Sequence, residues 1–237
     1  MISKVKSSEE GKIAAIILII VVFVAIGIWG LAAYNFSQTL KELFAENKKL
    51  KQAITNLTKE DQIGYAKVVK QNVKEGKIFT TLKFVETARD DKNDKILTKK
   101  YTIEGDIIHF DALIIKFDNK MVIDREQRSI YLWRRVYGET MPPSKGFEIE
   151  EEGDEPQRYR NFLGKRSFLD KILLKKDDTV RFWDAIWDLS NDPEKLKKYG
   201  ITAVSGNVVY KKLKPGLIYV FKITNTGHLR AETVPDM

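Results

Sequence analysis

The sequence predicts an α+β protein in four parts: a short N-terminal tail, one transmembrane helix, a coiled-coil stalk, and a compact, mostly antiparallel β domain with two or three inserted helices. Three observations lead to this prediction. A long uncharged apolar run lies near the N-terminus, leucines then recur at heptad spacing, and the remainder mixes period-two segments with shorter helical ones. The predicted boundaries are 1–12 for the tail, 13–34 for the span, 35–71 for the stalk and 72–237 for the domain.

The composition is that of a folded protein with little material for catalysis. The chain has 237 residues, a formal net charge of +8 and 43% hydrophobic residues, which is not the profile of a disordered chain. The absence of Cys excludes disulfides and thiol chemistry. Only two histidines, His109 and His228, are available for a metal centre. We therefore expect a non-enzymatic protein with no catalytic residues, no metal site and no cofactor.

The apolar run at residues 13–33 contains no charge and no strongly polar side chain. A helix of roughly 20 such residues crosses about 30 Å of hydrocarbon with every backbone amide satisfied. The run exceeds the roughly 7–15 apolar residues of a cleaved signal peptide, which favours an uncleaved signal anchor. Lys12 borders the run, whereas residues 34–40 carry no charge. This asymmetry predicts a single-pass protein of the inner membrane with its N-terminus in the cytoplasm and its β domain outside, in the periplasm.

A heptad pattern follows the apolar run. With Leu40 at position a, the apolar positions continue to residue 57, and Asn47 also falls at an a position. A single Asn in an apolar seam fixes the register of a parallel pair. The sequence therefore predicts an interface for a homo-oligomer or a coiled-coil hetero-partner, formed by Phe36, Leu40, Leu43, Asn47, Leu50, Ile54 and Leu57. The alternative is one amphipathic helix that packs on the chain's own β domain.

The pattern predicts further helices and strands after the heptads. Residues 58–71 have the spacing of a second helical segment, with Thr58 as its N-cap. Alternating apolar residues predict strands at 77–87, 96–103, 106–117, 121–123, 129–137, 201–212 and 217–224. Helical spacing and an Asp-Pro start predict the inserted helices at 161–174, 178–189 and 193–200.

Two constellations have the residue types of a metal or acid–base site. Asp106, His109 and Asp111 lie on one predicted strand, where His109 and Asp111 share a face. The strand is strongly apolar, which favours a histidine that is hydrogen-bonded within the fold. The acidic segment 148–155 lacks the alternating ligands and central Gly of a calcium loop, which favours a solvated loop. The sequence contains no complete phosphate-binding loop, nucleophile elbow or HExxH motif.

An aromatic and basic cluster marks a candidate partner surface on the strand at 129–137. Trp, Tyr and Arg are the residues that dominate interface energetics. The alternative is an ordinary strand with a buried tryptophan and arginines paired to neighbouring acids. Binding of nucleic acid is not expected, because charge is well mixed along the chain and the domain is predicted outside the cytoplasm. The candidate residues are Tyr131, Trp133, Arg134, Arg135 and Tyr137.

These features predict a structural or scaffolding subunit of a membrane-anchored complex. The subunit would associate through its transmembrane helix and coiled coil and dock partners with its β domain. Its expected partners are the membrane, a second copy or a coiled-coil hetero-partner, and other proteins of a membrane complex, but not nucleic acid. The alternative is a membrane-tethered binding module that recognises a ligand, a glycan or an anionic surface. Layout alone does not decide between these functions.

Overall fold

The computed structural model describes residues 2–125, 127–151, 156–160 and 200–236, with helix side chains described from Val22 onward. The chain divides into two units, Met1–Gln52 and Ala53–Met237. The first unit consists of helix α1, which runs over Ile2–Thr58. The last residues of α1, from Ala53 on, belong to the second unit.

The prediction of a membrane span is wrong. Among the described residues, no helix is both long enough and apolar enough to cross a bilayer. The finding overturns the transmembrane helix at 13–34, the signal anchor and the single-pass inner-membrane location.

The predicted coiled-coil stalk is also corrected. The described part of the chain shows α1 as one helix and shows no coiled coil. The helix ends at Thr58, and the residues predicted to continue it form strand β1, Glu60–Lys74. Register shifts at Ile63 and Val69 each place one extra residue in this strand. Such bulges interrupt the period-two pattern, so that the core residues Ile63 and Ala66 lie three apart, as they would in a helix.

The second unit is mostly antiparallel β, which corrects the predicted α+β class. Its described part contains two short helices, α2 at Asn119–Ile123 and α3 at Gln157–Arg160. The strand predicted at 121–123 is therefore wrong, and the helices predicted between 161 and 199 lie outside the described residues. Six strands match the other predicted positions closely: β2 Lys77–Thr87, β3 Lys95–Glu104, β4 Ile107–Phe117, β5 Ile130–Gly138, β7 Ile201–Lys212 and β8 Leu217–Thr224. Two further strands, β6 Phe147–Glu148 and β9 Leu229–Pro235, lie outside those predicted ranges.

The strands form two antiparallel sheets that face each other across one core. Sheet A has the order β3-β2-β1-β8-β9, and sheet B has the order β6-β5-β4-β7. Alternate residues of each strand enter the core because successive side chains point to opposite faces. Aromatic rings join the sheets: the ring of Phe84 on β2 lies 5.2 Å from that of Trp133 on β5. Phe221 on β8 lies 4.7 Å from Phe110 on β4, measured between ring centroids.

A buried polar network ties the end of α1 to both sheets. The Arg89 guanidinium donates from Nε to Asp61 Oδ2 at 2.8 Å and from Nη2 to Asn225 Oδ1 at 3.0 Å. Its Nη1 donates to the carbonyl of Ser129, which precedes β5. Asn225 Nδ2 in turn donates to the carbonyl of Asn56 in the last turns of α1, at 2.8 Å. One buried cation therefore holds the ends of three strands and the helix end in place.

Candidate functional site

The predicted oligomer interface lies exposed on α1. We call Phe36, Leu40, Leu43, Asn47 and Leu50, all in the first unit, the apolar seam. Phe36 is 66% exposed, Leu43 54% and Leu50 59%, and Phe44 beside the seam is 72% exposed. Covering such surface is favourable by about 25 cal/mol per Å². The two remaining predicted residues belong to the second unit, where Ile54 is exposed and Leu57 is half-buried.

Strand β5 divides the predicted partner surface between the two faces of sheet B. Tyr131 and Trp133 point into the core and are fully buried. These two predicted residues therefore lie on the core side of the strand, apart from the outer surface of the sheet. The side chain of Arg135 is half-buried and donates from Nη1 to the carbonyl of Pro143 at 3.3 Å. The predicted residues are close together in sequence, but successive side chains of a strand point to opposite faces, so the fold separates them.

The rest of that surface forms a small aromatic and charged patch on the outer face of sheet B. The ring of His109 on β4 stacks parallel to Tyr137 on β5, with centroids 4.9 Å apart. On its other side, the His109 ring lies 5.7 Å from the ring of Tyr210 on β7, measured between centroids. Arg134 Nη2 donates to Asp111 Oδ1 at 2.7 Å, and the Asp111 side chain is only 8% exposed. His109 and Asp111 thus have structural partners on neighbouring strands.

The described residues do not assemble a metal site. No group of three or more side chains suited to a metal is present among them. Asp106 forms an ion pair with Lys212 at 3.3 Å and does not join His109 and Asp111. In the acidic segment 148–155, the carboxylate of Glu150 turns inward and pairs with a buried arginine. Residues 152–155 of that segment lie outside the described part of the chain.

A buried ionic cluster, which the sequence did not reveal, lies between the sheets. The Arg158 guanidinium on α3 has its Nη1 2.8 Å from Glu86 Oε1 and donates from Nη2 to Glu150 Oε2 at 2.9 Å. Glu150 Oε2 also accepts from the backbone N–H of Trp133 at 2.7 Å. Burial raises the pKa of Glu86 to about 7, and the nearby Glu150 carboxylate acts in the same direction against the Arg158 charge. The alternation from Phe84 to Glu86 is the one sequence signal that places this carboxylate in the core.

We expect Glu86 to make stability depend on pH near neutrality. Its pKa is higher in the folded chain than its ordinary value of about 4.3, so the folded state binds this proton more tightly. The resulting stabilisation is fully present below about pH 4.3 and is lost as pH rises through about 7. The measurement is urea unfolding of wild type and Glu86→Gln between about pH 5 and 8. The wild type should lose stability relative to the variant across that range, and a constant difference would contradict the assignment.

The outer face of sheet A carries a concentration of lysines on its β1-β2-β3 half. Lys83 on β2 lies directly opposite Lys67 on β1 and directly opposite Lys100 on β3. The neighbouring residues of these strands enter the core, so the three lysines share the outer face. Further lysines follow along the β1–β2 hairpin. We call the whole set the lysine face: Lys67, Lys70, Lys74, Lys77, Lys83 and Lys100.

Few carboxylates neutralise the lysine face. Lys67 pairs with Asp236 at 2.8 Å, and Lys77 pairs with Glu104 at 2.9 Å. Within the described ranges, the other four lysines have no carboxylate within 4.0 Å. The β8–β9 half of the same sheet face differs, because its bases are matched by acids such as Glu60, which accepts two hydrogen bonds from Arg230. Sequence reasoning missed this face because the direct opposition of the lysines depends on strand register.

Comparison with known proteins gives no match: no family model, no curated protein and no solved structure resembles the chain.

Proposed function

We propose that this chain is a non-enzymatic scaffolding subunit that pairs with a second copy along the apolar seam and docks a further partner on its β domain. The observation that carries the proposal is the heptad spacing of the large apolar side chains in the seam. Phe36, Leu43 and Leu50 are each more than half exposed on one side of a helix. A repeated row of large apolar side chains is typical of a helix face that another helix covers.

Asn47 supports a second copy of this chain as the occupant of the seam. Its side chain lies between Leu43 and Leu50 in the heptad order and is exposed in the single chain. An Asn amide both donates and accepts, so two copies in the same register satisfy each other. A different apolar helix would leave this amide without a hydrogen bond, at a cost in stability. The polar residue thus favours self-pairing in one register.

The non-enzymatic part of the proposal is supported by the state of the ionisable side chains. Three buried or half-buried carboxylates are the candidates for an acid or base, and each lies in an ion pair: Asp111 with Arg134, and Glu86 and Glu150 with Arg158. Each pair crosses between structural elements, a role that accounts for its burial. A general acid or base needs a position from which it reaches a substrate.

Cysteine crosslinking of the full chain tests the pairing. Because the chain has no native Cys, a single introduced thiol reports one position only. We expect Leu43→Cys and Leu50→Cys, at the seam, to form disulfide-linked dimers under mild oxidation. A disulfide requires Cα atoms about 4.4–6.8 Å apart, which paired helices provide at seam positions.

The matched control is Ala45→Cys, on the opposite side of the same helix. A helix is about 10–12 Å across with its side chains, so thiols on the far sides of two paired helices do not meet. Dimers formed equally by Leu43→Cys and Ala45→Cys would indicate random collision. Dimers formed by neither variant would contradict pairing along the seam.

A second candidate is a binding module that recognises an anionic partner. The lysine face favours it, since four of its lysines lack a carboxylate neighbour in the described part of the chain. The two candidates involve different units of the chain, and the pairing experiment does not depend on the lysine face.

A further inference from the structure

We infer that an extended acidic polypeptide binds the β domain by adding as a strand to the open edge of β3, with its carboxylates beside the lysine face. The inference rests on the docking role proposed for the β domain and names its site and the chemistry of its partner.

The register of the lysines shows that the row is costly without an anionic partner. Lys67, Lys83 and Lys100 stand side by side on three adjacent strands. Strands lie about 4.8 Å apart, and like charges directly opposite each other destabilise a sheet. Asp236 forms an ion pair with Lys67. Among the described residues, no carboxylate lies within 4.0 Å of the amino group of Lys83 or Lys100. The row therefore lowers fold stability and gains from an added anion.

Protection of the sheet edge does not account for the whole row. Lysines on edge strands prevent unwanted pairing with other chains. This function explains Lys100, because β3 is one of the two edge strands of sheet A, with β9 at the other edge. It does not explain Lys67 and Lys83, which lie on the internal strands β1 and β2. Lys83 and Lys100, which have no carboxylate within 4.0 Å among the described residues, instead place positive charge within reach of a strand added at β3.

The edge of β3 offers the backbone pairing that an extended peptide uses. In the described part of the chain, β3 pairs with β2 only. A strand added at such an edge gains main-chain hydrogen bonds, and its alternate side chains give specificity. Thr98, Lys100 and Thr102 form the outer row of β3 and are all exposed. A partner with Asp or Glu at every second position would place carboxylates beside this row, about 6.7 Å apart.

The same features favour a polypeptide over nucleic acid. The lysine face contains no arginine, and its two aromatic neighbours, Tyr65 and Phe79, are half-buried between adjacent strands. Binding of single-stranded nucleic acid uses exposed aromatic rings on which bases stack. An open strand edge, by contrast, provides backbone donors and acceptors that only another polypeptide pairs with in register.

Binding of a synthetic acidic peptide to the full chain tests the inference. The probe is a fluorescent peptide of about ten residues that alternates threonine with glutamate, followed by anisotropy. We expect Lys83→Glu/Lys100→Glu to weaken binding at least about tenfold, because each substitution replaces an attraction with a repulsion. Binding should also weaken as salt rises from about 0.05 to 0.5 M. The matched control, Lys92→Glu/Lys214→Glu, changes the same charge at exposed turns and should alter affinity less than about twofold.

Hydrogen exchange distinguishes strand addition from general attraction. Bound peptide should slow exchange of the β3 amides, whereas a peptide of alternating threonine and lysine should neither bind nor slow exchange. Binding without protection of β3 would overturn strand addition, and no binding would overturn the site. Tighter binding of a single-stranded oligonucleotide of equal charge would overturn the assignment of the partner. The apolar seam is unchanged in these variants, so absence of peptide binding would not contradict pairing of two copies. Absence of crosslinking through the seam would likewise not contradict peptide binding at β3.

Discussion

Replacing Arg89 with alanine is expected to destabilise the β domain by about 3 kcal/mol, the lower end of the range for breaking a buried ion pair, because Lys59 and Arg128 still lie within 4.0 Å of the Asp61 carboxylate. The Arg89 side chain is only 8% exposed and pairs with Asp61, whose carboxylate is equally buried. Its loss also removes the donors to Ser129 and Asn225, which link the starts and ends of strands in both sheets. Urea unfolding followed by circular dichroism measures the effect.

Arg230→Ala is the control for Arg89→Ala. Arg230 also donates two hydrogen bonds to a carboxylate, that of Glu60, but its side chain is 41% exposed. Exposed pairs contribute about 0–1 kcal/mol, because water already solvates both charges. A similar loss in the two variants would show that the network around Arg89 does not hold the sheets together.

Trp133→Ala is expected to cost about 3–5 kcal/mol, the range for emptying an aromatic site in a packed core. The indole is fully buried and meets the rings of Phe84 and Phe221 of the other sheet, with centroids 5.2 and 5.1 Å away. Its removal opens a cavity where the two sheets join. Thermal and urea unfolding of the full chain measure the change.

Arg135→Ala separates this core role from the surface role that the sequence suggested for the same segment. Arg135 lies two residues further along β5 and is half-buried. We expect its replacement to change stability by less than about 1 kcal/mol, in line with substitutions near the surface. A Trp133→Ala variant as stable as Arg135→Ala would contradict the packing described between the sheets.

The parts of the fold that the sequence predicted are those where local pattern and strand geometry agree. Residues 77–87, 201–212 and 217–224 were predicted as strands and form β2, β7 and β8 within the same boundaries. In β2 the alternation is uninterrupted through Leu82 and Phe84, which both enter the core. β1 was missed because its bulges break that alternation.

The site features that the sequence did not predict depend on contacts between distant segments. Glu86 meets Arg158 from another part of the chain, and spacing along either segment carries no sign of this pair. The lysine row requires the register of β1, β2 and β3 together. The aromatic and basic residues of β5 show the converse, since Trp133 and Arg134 are neighbours in sequence but lie on opposite faces of the sheet. Pairing and register, more than composition, decide these features.

Sedimentation equilibrium of the intact, unmodified chain shows whether two copies pair in solution. If two copies pair along the apolar seam, the measured mass should be near twice the 27.3 kDa of one chain and should fall toward that value only on dilution. A mass of one chain at every concentration, with the helix and sheets intact by circular dichroism, would contradict the account.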